Sequence, residues 1–132
     1  MKIKTEQRTA GWMYYQPNKH KVGDCAVRAL SAALRISWDE AYEILVAKGR
    51  EIKDMPSDTA TMEAVLKDYG FKKDITVAPQ KGQKRITAVE YADKCKTAVL
   101  FLANHFVATK MGLLWDIWDC SNKCVYKAYY KD

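Results

Sequence analysis

The sequence predicts an α+β protein in which helices come first and strands come last. Between about residues 24 and 95, apolar side chains recur at the 3.6-residue spacing of amphipathic helices. From about residue 97 to residue 130 the chain contains short segments rich in β-branched and aromatic residues, which are typical of strands. With 132 residues the chain is short for two domains. We therefore predict one domain, residues 1–132, whose helices pack on a small C-terminal antiparallel sheet.

Two helices are predicted at the start of the helical part. The first covers Cys25 to Ile36, with Asp24 as its N-cap, because apolar residues fall on one face of this segment. The second begins with the capping box Ser37-Trp38-Asp39-Glu40, in which a hydroxyl and a carboxylate can each satisfy a free backbone N–H. The predicted buried stripe of this second helix consists of Trp38, Ala41, Tyr42, Leu45 and Val46.

Two further helices complete this part of the chain. The third covers about Thr59 to Tyr69, and Gly70 supplies the left-handed residue that ends it. The fourth is shorter and begins at a second capping box, Thr87-Ala88-Val89-Glu90.

Four strands are predicted after residue 97. They cover Ala98–Leu102, His105–Thr109, Leu113–Trp118 and Val125–Tyr130. The pair Met111-Gly112 indicates a tight hairpin turn between the second and third of these strands. The second half of the chain is therefore expected to form a small antiparallel sheet.

The charge and the apolar content of the sequence indicate which kinds of partner to expect. The chain has 22 Lys and Arg against 16 Asp and Glu, a net charge of +6, but the bases are scattered, so no nucleic-acid partner is expected. No apolar run approaches the roughly 18 residues of a membrane span, and Met1–Glu6 lacks the apolar core of a secretory signal. We expect a cytoplasmic protein without a membrane contact, whose four cysteines are thiols. No cofactor is indicated.

Cys25 is the predicted nucleophile because of its place in the chain. It follows Gly23-Asp24 at the start of the first predicted helix. The unpaired N–H groups and the positive end of the helix dipole stabilise a thiolate there, which lowers the pKa of the thiol. The backbone N–H of Cys25 would also donate to a developing oxyanion, and the amide of Gln16 or Asn18 could supply a second donor.

His105 and Asp116 are the predicted partners of this thiol. With a two-residue turn at Met111-Gly112, positions 105 and 116 are diagonal neighbours on one face of adjacent strands. His105 can then pair with the thiolate and protonate a leaving group, while Asp116 fixes the tautomer of the ring. Asp119 is the alternative acid, because a bulge in the turn would exchange the faces. If the turn contains no bulge, Trp118 covers the contact between the His105 ring and Asp116.

Two sequence blocks resemble a known family. The chain has Gly23-Asp24-Cys25-Ala26-Val27-Arg28-Ala29-Leu30 near its start, and His105-Phe106-Val107-Ala108, Gly112 and Asp116-Ile117-Trp118-Asp119 near its end. The order of Cys, His and Asp resembles the papain-like cysteine peptidases. Within that fold, the two blocks are similar to those of small bacterial and phage proteins.

The resemblance implies a papain-like fold and a cysteine peptidase-like thiol hydrolase or acyl transferase that acts on a peptide or protein. It favours Asp116 as the acid, because the family follows its orienting Asn or Asp with one residue and then a shielding Trp. It also implies a phage- or mobile-element-encoded protein in the host cytoplasm, with a host or phage protein as partner. The chain departs from the family at Lys19, where papain-like peptidases usually carry a Gln.

Two other functions are compatible with the sequence. A catalytically inactive papain-like module could bind a host protein, and Cys25 would then be an inert thiol in the first turn of its helix. A basic nucleic-acid-associated protein would show binding that weakens steeply with salt. No metal site is predicted, because the spacing of Cys120 and Cys124, combined with His20 or Cys95, is a poor match to zinc sites.

Overall fold

A six-stranded sheet carries helices of the N-terminal half against one of its faces. In the computed structural model the described residues are 3–4, 23–116 and 118–132. The strands run in the order β1-β5-β4-β3-β6-β2, and every neighbouring pair is antiparallel except β1 and β5 at one edge, which are parallel. The strand bounds are Ile3–Lys4 (β1), Lys72–Lys73 (β2), Thr97–Leu102 (β3), His105–Lys110 (β4), Leu113–Trp115 (β5) and Lys127–Lys131 (β6). The predicted α+β class and the C-terminal antiparallel strands are confirmed.

Two strands differ from their predicted bounds. The strand predicted to reach Trp118 ends at Trp115, because the next residue, Asp116, turns its carboxylate into buried ion pairs. The strand predicted to begin at Val125 begins at Lys127, because the Val125 N–H donates to the carbonyl of Ile86 instead of to the sheet. The two-residue strands β1 and β2 were not predicted, since they are too short to show an alternating pattern.

The four predicted helices are present. They are α1 (Cys25–Leu34), α2 (Trp38–Ile52), α3 (Thr59–Asp68) and α4 (Ala88–Ala92), and a 3₁₀ turn covers Ile75–Val77. Both capping boxes form as predicted, with reciprocal bonds between Ser37 and Glu40 and between Thr87 and Glu90. Helix α1 ends two residues early, because Arg35 adopts a left-handed conformation with φ of 57°. None of the helices in the described ranges is both long enough and apolar enough to cross a membrane.

Asp24 is the N-cap residue of α1, as predicted, but its carboxylate makes no capping bond, because Arg28 and Trp38 hold both of its oxygens. One predicted buried position is wrong. Tyr42 was expected in the buried stripe of α2, but it is 45% exposed and its ring stacks on Trp38 with a centroid distance of 5.2 Å.

The hairpin between β4 and β5 sets the register that positions the candidate site. Met111 and Gly112 both have positive φ, 54° and 77°, which is the geometry of a two-residue hairpin turn that matches strand twist. The pairs Lys110 with Leu113 and Ala108 with Trp115 follow from this turn. Continued by one residue, the same register places position 116 opposite position 107. Asp116 is therefore a diagonal neighbour of His105, as predicted.

Both faces of the sheet are covered. Helix α1 packs on the face that carries Val99, Phe101, Phe106 and Ala108, and these residues share one apolar cluster with it. The opposite face, with residues such as Leu100 and Val107, packs on Ala88, Tyr91 and Ala92 of α4 in a second cluster. Because its strands are buried on two sides, the sheet is a rigid support for side chains at its ends.

Candidate active site

Cys25 is the first residue of α1 and lines a cleft between the helix and the sheet. Burial raises the pKa of its thiol, but the hydrogen bond with His105, the backbone N–H of Phe106 and the charges of His105 and Arg28 outweigh burial, so the pKa lies below its ordinary value. The thiol is only partly buried and therefore remains open to the cleft. This combination of a lowered pKa and access is typical of a reactive cysteine.

His105, the first residue of β4, lies between the thiol and an acid. Its Nε2 is 2.5 Å from Oδ2 of Asp116. Since Nε2 is engaged by the carboxylate, Nδ1 is the nitrogen available to the Cys25 thiol. Burial lowers the pKa of His105, but hydrogen bonds with Asp116, Cys120 and Cys25 raise it more strongly, to about 11. At neutral pH the ring is therefore an imidazolium, as a thiolate–imidazolium pair requires.

Asp116 occupies the position predicted for the orienting acid, and the structure brings it together with Cys25 and His105. The residue is 1% exposed, so its negative charge is compensated by protein groups and not by water. Asp119, the alternative acid, is exposed and its carboxylate accepts bonds from the backbone N–H and the hydroxyl of Ser121. The geometry therefore assigns the contact with the ring to Asp116.

Arg28 extends this arrangement into the protein interior. Its Nη1 donates to Oδ1 of Asp116 at 2.7 Å, and its Nε donates to Oδ1 of Asp24 at 2.8 Å. Trp38 in turn donates its indole N–H to the other oxygen of Asp24 at 2.9 Å. The bond to Asp24 joins residues one helical turn apart, whereas the bond to Asp116 spans 88 positions and has no local signal in the sequence. Arg28 therefore holds the Asp116 carboxylate through Oδ1, while His105 contacts Oδ2.

Cys120 is a buried thiol at the site that the sequence did not predict. Its Sγ lies 3.4 Å from Oδ2 of Asp116, and it hydrogen-bonds His105. Burial raises the pKa of this thiol, so it is neutral and acts as a weak donor at neutral pH. Its spacing of four residues from Asp116 gave no signal, because the sequence showed no helical periodicity that would bring these two positions together.

One group of potential metal ligands coincides with this cluster. The side chains of His105, Asp116 and Cys120 each offer an atom, and these atoms lie within 4.8 Å of one another. The guanidinium of Arg28 bonds the same carboxylate, and the high pKa of His105 keeps a proton on the ring. Both positive charges oppose a cation, so the cluster is better suited to holding a proton than a metal ion.

Among the residues that the structure describes, neither Cys95 nor Cys124 belongs to the group of potential metal ligands. Cys95 is exposed and follows α4 with a positive φ of 59°. Cys124 is exposed while Cys120 is buried. His20 lies outside the described residues, as do Gln16 and Asn18, the predicted oxyanion donors.

Trp118 contacts the imidazole as predicted. The centroids of the two rings are 4.8 Å apart and their planes are inclined by 51°. Trp118 is 40% exposed, so its outer face meets solvent while its inner face shields one side of His105. Removing water from this side strengthens the hydrogen bond between the ring and Asp116.

The cleft in front of Cys25 has a volume of about 370 Å³. Its walls are the connection between α2 and α3, at Ser57–Thr59, and the turn between β3 and β4, including Asn104. Cys25 is the first residue of α1, so its backbone N–H has no acceptor within the helix and is suitable as an oxyanion donor. Asn104 is an amide at the cleft that sequence reasoning did not consider.

Comparisons of this chain with protein-family models, with curated proteins and with solved structures find no match. The assignment of a function therefore rests on the geometry and chemistry of the site.

Proposed function

We propose that this protein is a papain-like thiol hydrolase or acyl transferase that uses Cys25, His105 and Asp116 on a peptide or protein substrate. The observation that carries the proposal is the continuous contact from thiol to ring to acid, with Nε2 of His105 2.5 Å from Asp116 and the Cys25 thiol hydrogen-bonded to the same ring. A nucleophile, a base and an orienting group in this order are the elements of a catalytic triad.

The reaction follows from the protonation states. The Cys25 thiolate attacks a carbonyl carbon, an S–C bond forms and the oxygen becomes an oxyanion near the N-terminus of α1. His105 then gives its proton to the leaving nitrogen, and the C–N bond breaks to leave a thioester. Water, or another nucleophile in acyl transfer, gives a proton to His105 as it attacks, and the thiolate is released.

The high pKa of His105 does not prevent this proton transfer. Its value of about 11 depends in part on the Cys25 thiolate. Once the sulfur has formed its bond to carbon, that negative charge is gone and the imidazolium becomes a stronger acid. The ion pair therefore stabilises the resting enzyme, and the loss of the thiolate charge makes the ring a proton donor when the leaving group needs one.

The test is the rate of iodoacetamide alkylation at Cys25 as a function of pH. A Cys95→Ser/Cys124→Ser background removes the two exposed thiols, and mass spectrometry locates the adduct. We expect a plateau of reactivity well below pH 8 that His105→Ala abolishes, while Asp119→Asn leaves it unchanged. An acyl adduct on Cys25 after incubation with p-nitrophenyl acetate would show the group-transfer step itself.

The same experiment separates the enzyme from the inactive binding module. If the background protein and its His105→Ala variant both react like an ordinary thiol, Cys25 is not activated and the enzyme proposal is wrong. An activated Cys25 that forms no acyl adduct would also contradict it, since the thiolate would then lack a functional oxyanion site.

A further inference from the structure

The carboxylate of Asp116 accepts hydrogen bonds from three different segments of the chain. Arg28 of α1 donates to Oδ1 at 2.7 Å, and His105 of β4 contacts Oδ2 through its Nε2. Cys120 donates its S–H to the same Oδ2, with 3.4 Å between sulfur and oxygen. The Cys120 side chain is completely buried, so no water competes for this oxygen from that side.

The orientation of this acid depends on such contacts. The pairing of β5 with β4 ends at Trp115, so Asp116 is the first residue after the strand. The terminal torsion of an Asp side chain is soft, and a carboxylate held at one oxygen by Arg28 can still turn about its bond to Cβ. His105 contacts the other oxygen, but its ring is the group that has to be oriented. Cys120 is a donor at Oδ2 that does not depend on the ring.

Cys120 itself is held by helix α4. Its carbonyl accepts the Lys123 N–H at 3.0 Å, which closes the turn that follows it. The first residues of α4 bind this turn, since Val89 donates to the carbonyl of Ser121 at 3.0 Å and Ala88 to that of Lys123 at 2.9 Å. The Cys120 side chain also belongs to the apolar cluster that contains α4. The sulfur is therefore a fixed point beside the acid.

The thiol of Cys120 keeps its proton at neutral pH. Burial raises its pKa, and so does the charge of Asp116, although the hydrogen bond with His105 opposes them. The proton is thus available to the carboxylate, and a hydrogen bond to a charged acceptor is stronger than one between neutral groups. Because a neutral thiol is a weak donor, it orients the acid without replacing the imidazolium as its main partner.

We propose that Cys120 is a positioning residue of the candidate site, whose S–H holds Oδ2 of Asp116 in the orientation that contacts Nε2 of His105. The catalytic consequence rests on the proposed function, because the ring acts on the Cys25 thiol. Without this donor the acid contacts the ring less often, the imidazolium loses part of its stabilisation, and the Cys25 thiolate loses part of its own.

The experiment compares two substitutions of Cys120 in the Cys95→Ser/Cys124→Ser background. Cys120→Ala removes the donor, and Cys120→Ser returns a hydroxyl donor to the same place. The rate of iodoacetamide alkylation at Cys25 is measured against pH. We expect the midpoint of the profile to move up by about 0.3–1 pH unit in Cys120→Ala, the range that the loss of one hydrogen bond corresponds to. Cys120→Ser should recover at least half of this shift.

A matched control separates the hydrogen bond from the packing of the core. Val125 is also completely buried and belongs to the same apolar cluster as Cys120. Val125→Ala therefore loosens that cluster without removing a donor from Asp116. Urea denaturation should show that both Ala variants are folded and less stable, while the alkylation profile of Val125→Ala should match that of the background protein.

NMR provides a direct view of the contact between the ring and the acid. In protein with ¹⁵N-labelled histidine, the Nε2–H proton of His105 should resonate far downfield because its hydrogen bond is short, and His105→Ala identifies this signal. Cys120→Ala should move the signal upfield. Cys120→Ser and Val125→Ala should leave it close to its position in the background protein.

The outcomes distinguish this inference from the proposed function. An unchanged profile and an unchanged Nε2–H signal in Cys120→Ala would overturn the positioning role and leave the triad intact. A shift of the profile to lower pH would also overturn it, since the S–H would then only draw charge from Asp116. Equal shifts in Cys120→Ser or in Val125→Ala would assign the effect to packing and overturn it as well.

A background protein whose Cys25 reacts like an ordinary thiol would instead contradict the proposed function. The Nε2–H signal would still decide the inference in that case, because it reports the contact of His105 with Asp116 and does not require a reactive Cys25.

Discussion

Arg28 and Asp116 are 88 residues apart in the sequence and form a buried ion pair with 2.7 Å between Nη1 and Oδ1. Their side chains are 6% and 1% exposed. Arg28 belongs to the helix that begins with Cys25, and Asp116 follows the strand that pairs with the strand of His105. The ion pair therefore joins the helix that carries the thiol to the hairpin that carries the ring.

Replacement of Arg28 by Met should destabilise the protein strongly. The substitution leaves the buried carboxylates of Asp24 and Asp116 without their shared cation, and breaking a buried pair in this way costs about 3–5 kcal/mol. Urea denaturation measures the change in free energy of unfolding. Arg50→Met on the exposed side of α2 is the control, with an expected change within about 0.5 kcal/mol. Equal effects of the two substitutions would show that the Arg28 ion pairs do not stabilise the fold.

Replacement of Asp116 by Asn should lower the pKa of His105. The carboxylate raises that pKa through a hydrogen bond and through its charge, and the neutral amide keeps the shape but not the charge. Without the imidazolium, Cys25 loses one of the groups that lower its own pKa, so the alkylation profile should move to higher pH. NMR titration of the ring measures the first effect, with His105→Ala used to identify its signal among the two histidines. Asp119→Asn should leave both profiles unchanged.

The stability of the protein should depend on pH through His105. Its pKa is about 11 in the folded protein and about 6.5 in an unfolded chain, so between these values the folded form binds more protons. The contribution of the ring to stability is therefore complete below about pH 6.5 and is lost as pH rises toward 11. Urea denaturation of the unmodified protein and of His105→Ala should show a difference in unfolding free energy that shrinks over this range. A difference that is constant with pH would contradict the raised pKa.

Replacement of Met111 by Asn should stabilise the hairpin that sets the register of His105 and Asp116. Met111 has a φ of 54° and is 64% exposed, so its side chain gains little from packing and its backbone lies in the left-handed region. Asn tolerates this conformation better, and Asn-Gly is the preferred pair for such a turn, so a gain of up to about 1 kcal/mol is expected. Thermal unfolding measures it. Met55→Asn is the control, because Met55 is also 64% exposed but is not among the residues with positive φ.

The parts of the fold with strong local signals were predictable. The capping boxes at Ser37 and Thr87 begin their helices at the predicted residues, because each satisfies its backbone N–H groups within four residues of chain. The turn at Met111-Gly112 likewise predicted the pairing of β4 with β5. The burial of Tyr42 was predicted wrongly, because helical spacing shows which side chains share a face of the helix but not which part of that face is covered.

The sequence by itself predicted the four helices, the C-terminal strands, the hairpin register and the three residues proposed for the candidate site, because helix caps, turn residues and the alternation of strands act over a few neighbouring positions. Only the tertiary structure decided that Arg28 bonds Asp116 and that Cys120 contacts the same carboxylate. These contacts join segments far apart in the chain, and their geometry depends on how α1 packs on the sheet, which no local pattern encodes.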